Sequence, residues 1–125
     1  MDQKILIVDD EDHLRMLIEQ ALEDLEDEGV EFFTASDGAA ALELIMDEKP
    51  DLVFLDVMMP KMNGLEVCRR VKLEEKMDDV SIIILTAKGQ ELDKKKGEEV
   101  GADLYMTKPF DPDRLLEKAR EILKL

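Results

Sequence analysis

Short continuous apolar runs alternate along the chain with segments in which apolar residues recur every three or four positions. A continuous run is typical of a strand buried on both faces of a parallel sheet, whereas the wider recurrence indicates one face of an amphipathic helix. The runs predict strands at about 4–8, 30–35, 51–55, 81–85 and 103–106. The helical spacing predicts helices at about 14–25, 38–46, 64–74, 92–100 and 112–123.

The first and last predicted helices have the clearest apolar faces. The face of the first consists of Leu14, Leu17, Ile18, Ala21, Leu22 and Leu25, and that of the last of Leu115, Leu116, Ala119, Ile122 and Leu123. Gly29 ends the first helix, and 36–38 supplies a turn and an N-cap for the second. The helix at 92–100 is the least well defined, because it is polar and contains Gly97.

Five alternations of strand and helix predict one α/β domain that spans residues 1–125. Right-handed crossovers between parallel strands place helices on both faces of the sheet. A chain of this length buries about two-thirds of its unfolded surface, which is enough for a stable core. No internal repeat or linker divides the sequence, so we expect either a single-domain protein or one domain of a larger one.

The net charge of −15, from 17 basic and 32 acidic side chains, argues against direct binding of nucleic acid and favours basic protein partners. The single cysteine, Cys68, excludes an internal disulfide and is predicted to be a small buried hydrophobe.

No apolar run approaches the roughly 20 residues of a membrane span, and the N-terminus lacks a signal-peptide pattern. We therefore expect a cytoplasmic protein without membrane insertion.

Acidic side chains and one lysine follow three of the predicted strands. Asp9 and Asp10 follow the first strand, Asp56 the third and Lys108 the fifth. The carboxyl ends of parallel strands meet at one edge of the sheet, where open α/β sheets bind ligands. Acids at 9–12 also suit a helix N-terminus, but together with Asp56 they suit Mg²⁺, or Mn²⁺, and a phosphoryl group.

Two further residues belong to the same predicted crevice. Lys108 precedes Pro109, where a cis peptide bond would fix the direction of the lysine, and its ammonium can pair with Asp56. Thr86 ends the fourth strand and can donate a hydroxyl hydrogen bond into the crevice.

Five motifs together resemble the receiver domain of two-component response regulators, in order and over essentially the whole chain. They are Asp9-Asp10, the stretch from Asp56-Val57-Met58-Met59-Pro60 to Asn63-Gly64, Thr86-Ala87, Gly101-Ala102-Asp103 and 105–110. The resemblance implies a flavodoxin-like fold, with a five-stranded parallel sheet of order 2-1-3-4-5 and helices on both faces.

The resemblance also implies a role for each residue of the crevice. Asp56 would accept a phosphoryl group from a phosphohistidine of a sensor histidine kinase. Mg²⁺ would be held by the side chains of Asp10 and Asp56 and by the backbone carbonyl of Met58, with Asp9 contributing through water. Together with Lys108, the cation would offset the charge on the transferring group.

A conformational switch follows from the same resemblance. Thr86 would close onto the new phosphate, and Tyr105 would turn inward, which changes the surface around the last strand for a downstream protein. The protein would be a monomer or a phosphorylation-dependent dimer. It would be a signalling switch that catalyses its own phosphorylation and dephosphorylation, not an enzyme with a separate substrate.

The outer side of the first helix carries a candidate docking surface. Met16 lies opposite the apolar face, with His13 and Gln20 beside it. Receiver domains dock the kinase's helical bundle on this helix, and methionine suits adaptable contacts. We therefore expect His13, Met16 and Gln20 to help select the kinase.

Several alternatives remain at this stage. The chain could be the receiver of a larger transcription factor or hybrid kinase, or a sink that drains phosphate from a shared kinase. A Mg²⁺-dependent aspartyl phosphatase of the haloacid-dehalogenase type places two acids one residue apart after the first strand, whereas Asp9 and Asp10 are adjacent. A flavodoxin would need a small Ser/Thr/Gly loop there, since four acids would repel the FMN phosphate.

Overall fold

The computed structural model describes residues 3–87, 99–108 and 110–125. Its strands are β1 (Lys4–Val8), β2 (Glu31–Ala35), β3 (Leu52–Asp56), β4 (Ser81–Ala87) and β5 (Leu104–Lys108). Its described helices are α1 (Asp12–Ala21), α2 (Glu23–Asp27), α3 (Gly38–Glu48), α4 (Gly64–Arg69) with a π-helix at Arg70–Glu74, and α5 (Pro112–Leu123). None of the helices within these ranges has the length and apolar character that a membrane crossing requires.

The five strands form one parallel sheet in the order β2-β1-β3-β4-β5, which confirms the predicted topology. The fold is therefore flavodoxin-like, with the chain reversing its direction of winding between β1 and β3. This reversal opens a crevice at the carboxyl ends of β1 and β3.

The strand ends differ from the prediction at the edge that matters most. β4 continues to Ala87, and β5 begins at Leu104 and continues to Lys108. Thr86, predicted at the end of the fourth strand, is therefore the last but one residue of β4, and Lys108 is the last residue of β5 rather than a residue that follows it. Polar residues are compatible with these strand positions because both lie at the carboxyl ends of the strands, beside the crevice.

Two predicted helices also differ in detail. The first is divided at Leu22 into α1 and α2, and the helix that begins at Gly64 finishes as the π-helix. The helix predicted at 92–100 lies almost wholly outside the described residues, as does Pro109 with its predicted cis peptide bond.

Each face of the sheet is covered by its own hydrophobic cluster. Along β3, Leu52 and Phe54 join the cluster beneath α1, α2 and α5, while Val53 and Leu55 join the cluster beneath α3 and α4. All five residues of this strand are buried, as the continuous apolar run predicted. Cys68 lies in the second cluster and is fully buried, which confirms its predicted position.

Leu17 is the exception among the predicted core residues of the first helix. Its side chain is 44% exposed, whereas Ile18, Leu22 and Leu25 are fully buried. The assignment of Leu17 to the core face was wrong. The buried face of the helix is narrower than the apolar face predicted from the sequence. Leu17 instead lines a shallow apolar groove between α1 and α5, with Phe110 on its other side.

Two aspartates fix the strands at the amino edge of the sheet. The Asp51 N–H donates to the Lys4 carbonyl at 2.8 Å, and its carboxylate accepts from the Lys4 N–H at 2.8 Å. Asp103 makes the same pair with Ile82, at 2.9 and 2.8 Å. These paired bonds set where β3 and β5 begin relative to their neighbours, and so also the level at which their carboxyl ends emerge.

Two glycines allow close backbone contacts beside the crevice. A Cβ at Gly64 would overlap the backbone carbonyl of Asp56, and a Cβ at Gly38 would overlap that of Met62. The first turns of α3 and α4 can therefore pack directly against the chain that leaves β3. This packing holds the segment that follows Asp56.

Candidate functional site

The candidate site lies at the carboxyl edge of the sheet, where β1, β3 and β5 end. Asp9 directly follows β1, and Asp56 and Lys108 are the last residues of β3 and β5. Asp56 is level with Leu85 across β3 and β4, whereas Lys108 is level with Ala87. Because β5 projects two residues further, the long side chain of Lys108 can reach back over the edge to Asp56.

The Lys108 ammonium pairs with two buried carboxylates. Its Nζ lies 2.9 Å from Asp56 Oδ1 and 3.1 Å from Asp9 Oδ2. The pairing with Asp56 confirms the expectation from the sequence, but the pairing with Asp9 was not predicted. Exposures of 1% for the Asp9 side chain and 8% for that of Asp56 place both ion pairs largely out of solvent.

Three carboxylates of the site could hold a cation. Asp9, Asp10 and Asp56 each offer an oxygen, and the three oxygens lie within 4.8 Å of one another. One lysine cannot neutralise three acids, so the cluster keeps a net negative charge. Compact hard oxygen donors of this kind fit Mg²⁺ or Mn²⁺.

Burial controls the protonation of Asp56. Loss of solvation raises the pKa of its carboxyl to about 6, and the negative charges of Asp9 and Asp10 add to this increase, while the hydrogen bond from Lys108 opposes it. Burial of the Lys108 ammonium lowers its pKa, but the hydrogen bond and the charge of Asp56, together with Asp9, raise the pKa overall. At neutral pH the site therefore holds an ionised Asp56 beside a protonated lysine.

The loop from β1 to α1 is held by hydrogen bonds around Asp9. Asp9 Oδ1 accepts from the Glu11 N–H at 3.0 Å, and the Asp9 N–H donates to the Ala35 carbonyl at 3.2 Å. The Asp9 carbonyl accepts from Arg15 Nη1 at 2.5 Å. Arg15 was not singled out from the sequence, although an arginine six residues after the first acid is a signal that could have been noticed.

The segment that follows Asp56 is held between two helix caps. Asn63 caps α4 by accepting from the Glu66 N–H at 3.0 Å, and Asp37 caps α3 by accepting from the Ala40 N–H at 2.8 Å. Lys61 of this segment lies 3.7 Å from the carboxylate of Asp37, which connects the segment to the cap of α3. The Met58 side chain in this segment is 64% exposed.

The two predicted switch residues lie on neighbouring strands. Thr86 is buried in β4 at 6% exposure, one residue past the level of Asp56. Tyr105 lies in β5, is half-buried and packs against the hydrophobic cluster on the α3 and α4 side of the sheet.

The three predicted docking residues lie together on the exposed side of α1. His13, Met16 and Gln20 are all exposed, with Met16 at 58%. Met16 and Gln20 line a shallow groove with three acidic side chains, Glu19, Glu23 and Glu26. The sequence pattern thus identified this outer surface, but not its acidic rim.

The parallel sheet, the three acids and the lysine at its edge are those of a receiver domain. The chain belongs to this family: the response regulator receiver domain model matches residues 5–120. It is the receiver domain of a two-component response regulator, as the motifs indicated.

Comparison with curated proteins gives two similar regulators. The chain is 46% identical over 124 residues to the alkaline phosphatase synthesis transcriptional regulatory protein PhoP of Bacillus subtilis, covering 99% of this chain and 50% of that protein. It is 47% identical over 120 residues to the phosphate regulon transcriptional regulatory protein PhoB of Pseudomonas aeruginosa, covering 96% and 51%. The chain thus spans about half the length of these relatives.

Comparison with a solved structure confirms the fold over nearly the whole chain. The chemotaxis protein CheY4 of Vibrio cholerae superimposes with a TM-score of 0.83 at 32% identity, covering 98% of this chain and 99% of that one.

The raised pKa of Asp56 predicts how stability depends on pH. The folded state binds the Asp56 proton more tightly than the unfolded state, so this residue lowers the stability as pH rises from about 4 through about 6. In buffer without divalent cations, Asp56→Asn should raise the free energy of unfolding at about pH 7.5 by about 1–2 kcal/mol, a value reduced to allow for solvent screening. The gain should shrink below about pH 6 and vanish near about pH 4.

Urea denaturation at several pH values measures this effect. The exposed Asp79 is a suitable control, because Asp79→Asn should change the free energy of unfolding by less than about 0.5 kcal/mol at every pH. Equal or lower stability of Asp56→Asn across the whole range would show that the buried charge is fully compensated by Lys108.

Proposed function

We propose that this receiver domain is a phosphorylatable switch in which Asp56 accepts a phosphoryl group from a phosphohistidine of a sensor histidine kinase. The observation that carries the proposal is the ammonium of Lys108, 2.9 Å from a buried Asp56 carboxylate that also lies within cation-binding reach of Asp9 and Asp10. The arrangement combines a nucleophile with groups that can neutralise a phosphoryl group.

In the transfer, a carboxylate oxygen of Asp56 forms a bond to phosphorus as the bond between phosphorus and the histidine nitrogen breaks. The bonding electrons leave with the imidazole, and the product is an aspartyl phosphate. Above about pH 6 Asp56 is ionised, so it needs no separate base to become a nucleophile.

Positive charge at the site favours this step. A divalent cation held by Asp10, Asp56 and the Met58 carbonyl, with Asp9 acting through water, would offset the charge on the phosphoryl oxygens. Lys108 supplies a second positive charge from the protein itself. Because Lys108 also contacts Asp9, its ammonium stays at the site when Asp56 is phosphorylated.

Thr86 and Tyr105 are the proposed residues of a switch to a second surface. Thr86 lies on the strand next to Asp56 and can turn its hydroxyl toward the new phosphate. Tyr105 lies on β5, on the other side of β4, and is level with Ile84 of β4, so it can respond to that movement. The altered surface around β5 and α5 would then bind a downstream protein or a second copy of the chain.

The output depends on what accompanies this domain. PhoP and PhoB are named as transcriptional regulatory proteins, and the matching half of each suggests that this chain controls an attached or separate output partner. With a net charge of −15, the domain itself is poorly suited to contact nucleic acid. The switch would act in the cytoplasm, where it would catalyse its own phosphorylation and dephosphorylation.

Intact mass after incubation with acetyl phosphate tests the phosphoacceptor. We expect one phosphoryl adduct that requires Mg²⁺ or Mn²⁺ and is absent from Asp56→Asn. Asp79→Asn, which alters an exposed aspartate away from the site, should be labelled like the wild type. Lys108→Ala should slow labelling by about a hundredfold, because a charge that stabilises the transferring group is lost.

Two results would contradict the proposal. The absence of any adduct in the wild type would mean that the domain signals without phosphate. Continuous release of phosphate from many phosphate esters, without a stoichiometric adduct, would indicate an aspartyl phosphatase instead.

The exposed side of α1 is the proposed kinase-docking surface. His13, Met16 and Gln20 supply adaptable and polar contacts, and the acidic side chains beside them favour a partner helix with Lys or Arg facing α1. This surface does not include the phosphoacceptor, so substitutions there should alter phosphotransfer from the kinase without altering the chemistry at Asp56.

Met16→Glu tests the docking surface. We expect phosphotransfer from the cognate kinase to slow by about tenfold, because an apolar contact is replaced by a charge, while labelling by acetyl phosphate is unchanged. Met46→Glu is a matched control, since Met46 is an exposed methionine on α3, on the opposite face of the sheet. If the cognate kinase phosphorylates Met16→Glu at the wild-type rate, Met16 is not part of the docking surface.

A further inference from the structure

Arg15 connects α1 to the peptide that leads into Asp10. Its Nη1 donates to the Asp9 carbonyl at 2.5 Å, and its Nη2 forms an ion pair with Asp12. The Arg15 side chain is only 16% exposed, whereas that of Asp12 is 86% exposed. The guanidinium is therefore directed inward to the loop, with Asp12 holding its outer side.

The start of α1 lacks the support that the other long helices have. Asp37, Asn63 and Asp111 cap α3, α4 and α5 through their side chains, but Glu11 at the N-cap of α1 makes no such bond to the residues that the structure describes. Without a cap, the loop needs another contact to fix its path. Asp9 supplies two such contacts, to the Glu11 N–H and the Ala35 carbonyl, and the bond from Arg15 is the one that holds the peptide between Asp9 and Asp10.

The carbonyl held by Arg15 belongs to the peptide unit between Asp9 and Asp10. A peptide unit is planar, so fixing its oxygen also fixes the direction in which the chain enters Asp10. Asp10 is exposed and makes no hydrogen bond within the described part of the chain, so its own side chain does nothing to hold it. Asp9, by contrast, is held through both carboxylate oxygens.

We infer that Arg15 is a positioning residue for cation binding, which aims the Asp10 carboxylate at Asp56 by holding the intervening peptide. The inference rests on the proposed function, because it takes Asp10 as a ligand of the cation. Arg15 itself touches neither the cation nor the phosphoryl group. Its role is the outer-shell support that metal ligands commonly need.

The direction in which the Kd for Mg²⁺ changes after removal of Arg15 distinguishes a positioning role from a purely electrostatic one. Arg15 carries a positive charge near three carboxylates, so by charge alone its removal should tighten cation binding. A positioning role predicts the opposite, since a free peptide would let Asp10 point away from Asp56. The Kd for Mg²⁺ therefore distinguishes the two without any measurement of phosphorylation.

The experiment is an NMR titration of the backbone amides with MgCl₂, in the absence of a phosphoryl donor, on wild type and three variants. Arg15→Met should raise the Kd by about tenfold and shift the amide signals of Asp10 and Glu11. Arg15→Lys, which retains one donor, should raise the Kd by about threefold. Asp12→Asn keeps the bond to the Asp9 carbonyl and should stay within about twofold of wild type.

Urea denaturation of each variant establishes that it is folded, and Arg15→Lys carries the test if Arg15→Met does not fold. A folded Arg15→Met that binds Mg²⁺ as tightly as wild type, or more tightly, overturns the positioning role and leaves the proposed function intact. Absence of Mg²⁺ binding in the wild type overturns the cation dependence of the proposed function, and with it this inference.

Discussion

A single ammonium between two buried carboxylates is the interaction on which the site depends. Burying Asp9 and Asp56 side by side would be costly without Lys108, because each charge loses solvent and the two repel each other. Lys108 compensates in part, and burial still leaves the pKa of Asp56 raised. The site therefore keeps a net negative charge, which favours the binding of a cation.

The rest of the fold serves to place these three side chains. The aspartate pairs at the amino edge set the levels of β3 and β5, and the two-residue extension of β5 lets Lys108 reach back to Asp56. Gly64 allows α4 to pack against the carbonyl of Asp56, and the caps of α3 and α4 hold the segment that follows. These residues stabilise the local structure of the chain and also set the geometry of the site.

Much of this arrangement could be predicted from the sequence. The buried run of β3 predicted a central strand, and the polar residues at strand ends predicted a shared edge, because both signals are periodic and local. The second partner of Lys108 and the role of Arg15 could not be read in this way. They depend on how far β5 extends beyond β3 and on the path of the loop from β1 to α1. Contacts between residues distant in sequence set both of these features.

Leu17 shows the same limit on a helix. Helical spacing placed it with the core residues, but the width of the buried stripe depends on how closely α1 approaches α5. The pattern therefore identifies which side of a helix faces inward, while tertiary packing decides which residues at the margin are covered.

Chemical mapping of the phosphoryl group tests the central claim most directly. Borohydride reduces an aspartyl phosphate to homoserine, so peptide mass analysis after treatment with a phosphoryl donor and Mg²⁺ identifies the modified residue. We expect homoserine at position 56 alone, because Asp9 uses both carboxylate oxygens in hydrogen bonds, whereas Asp56 contacts Lys108 through Oδ1. Homoserine at Asp9 or Asp10, with Asp56 unmodified, would contradict the assignment of Asp56 as the phosphoacceptor.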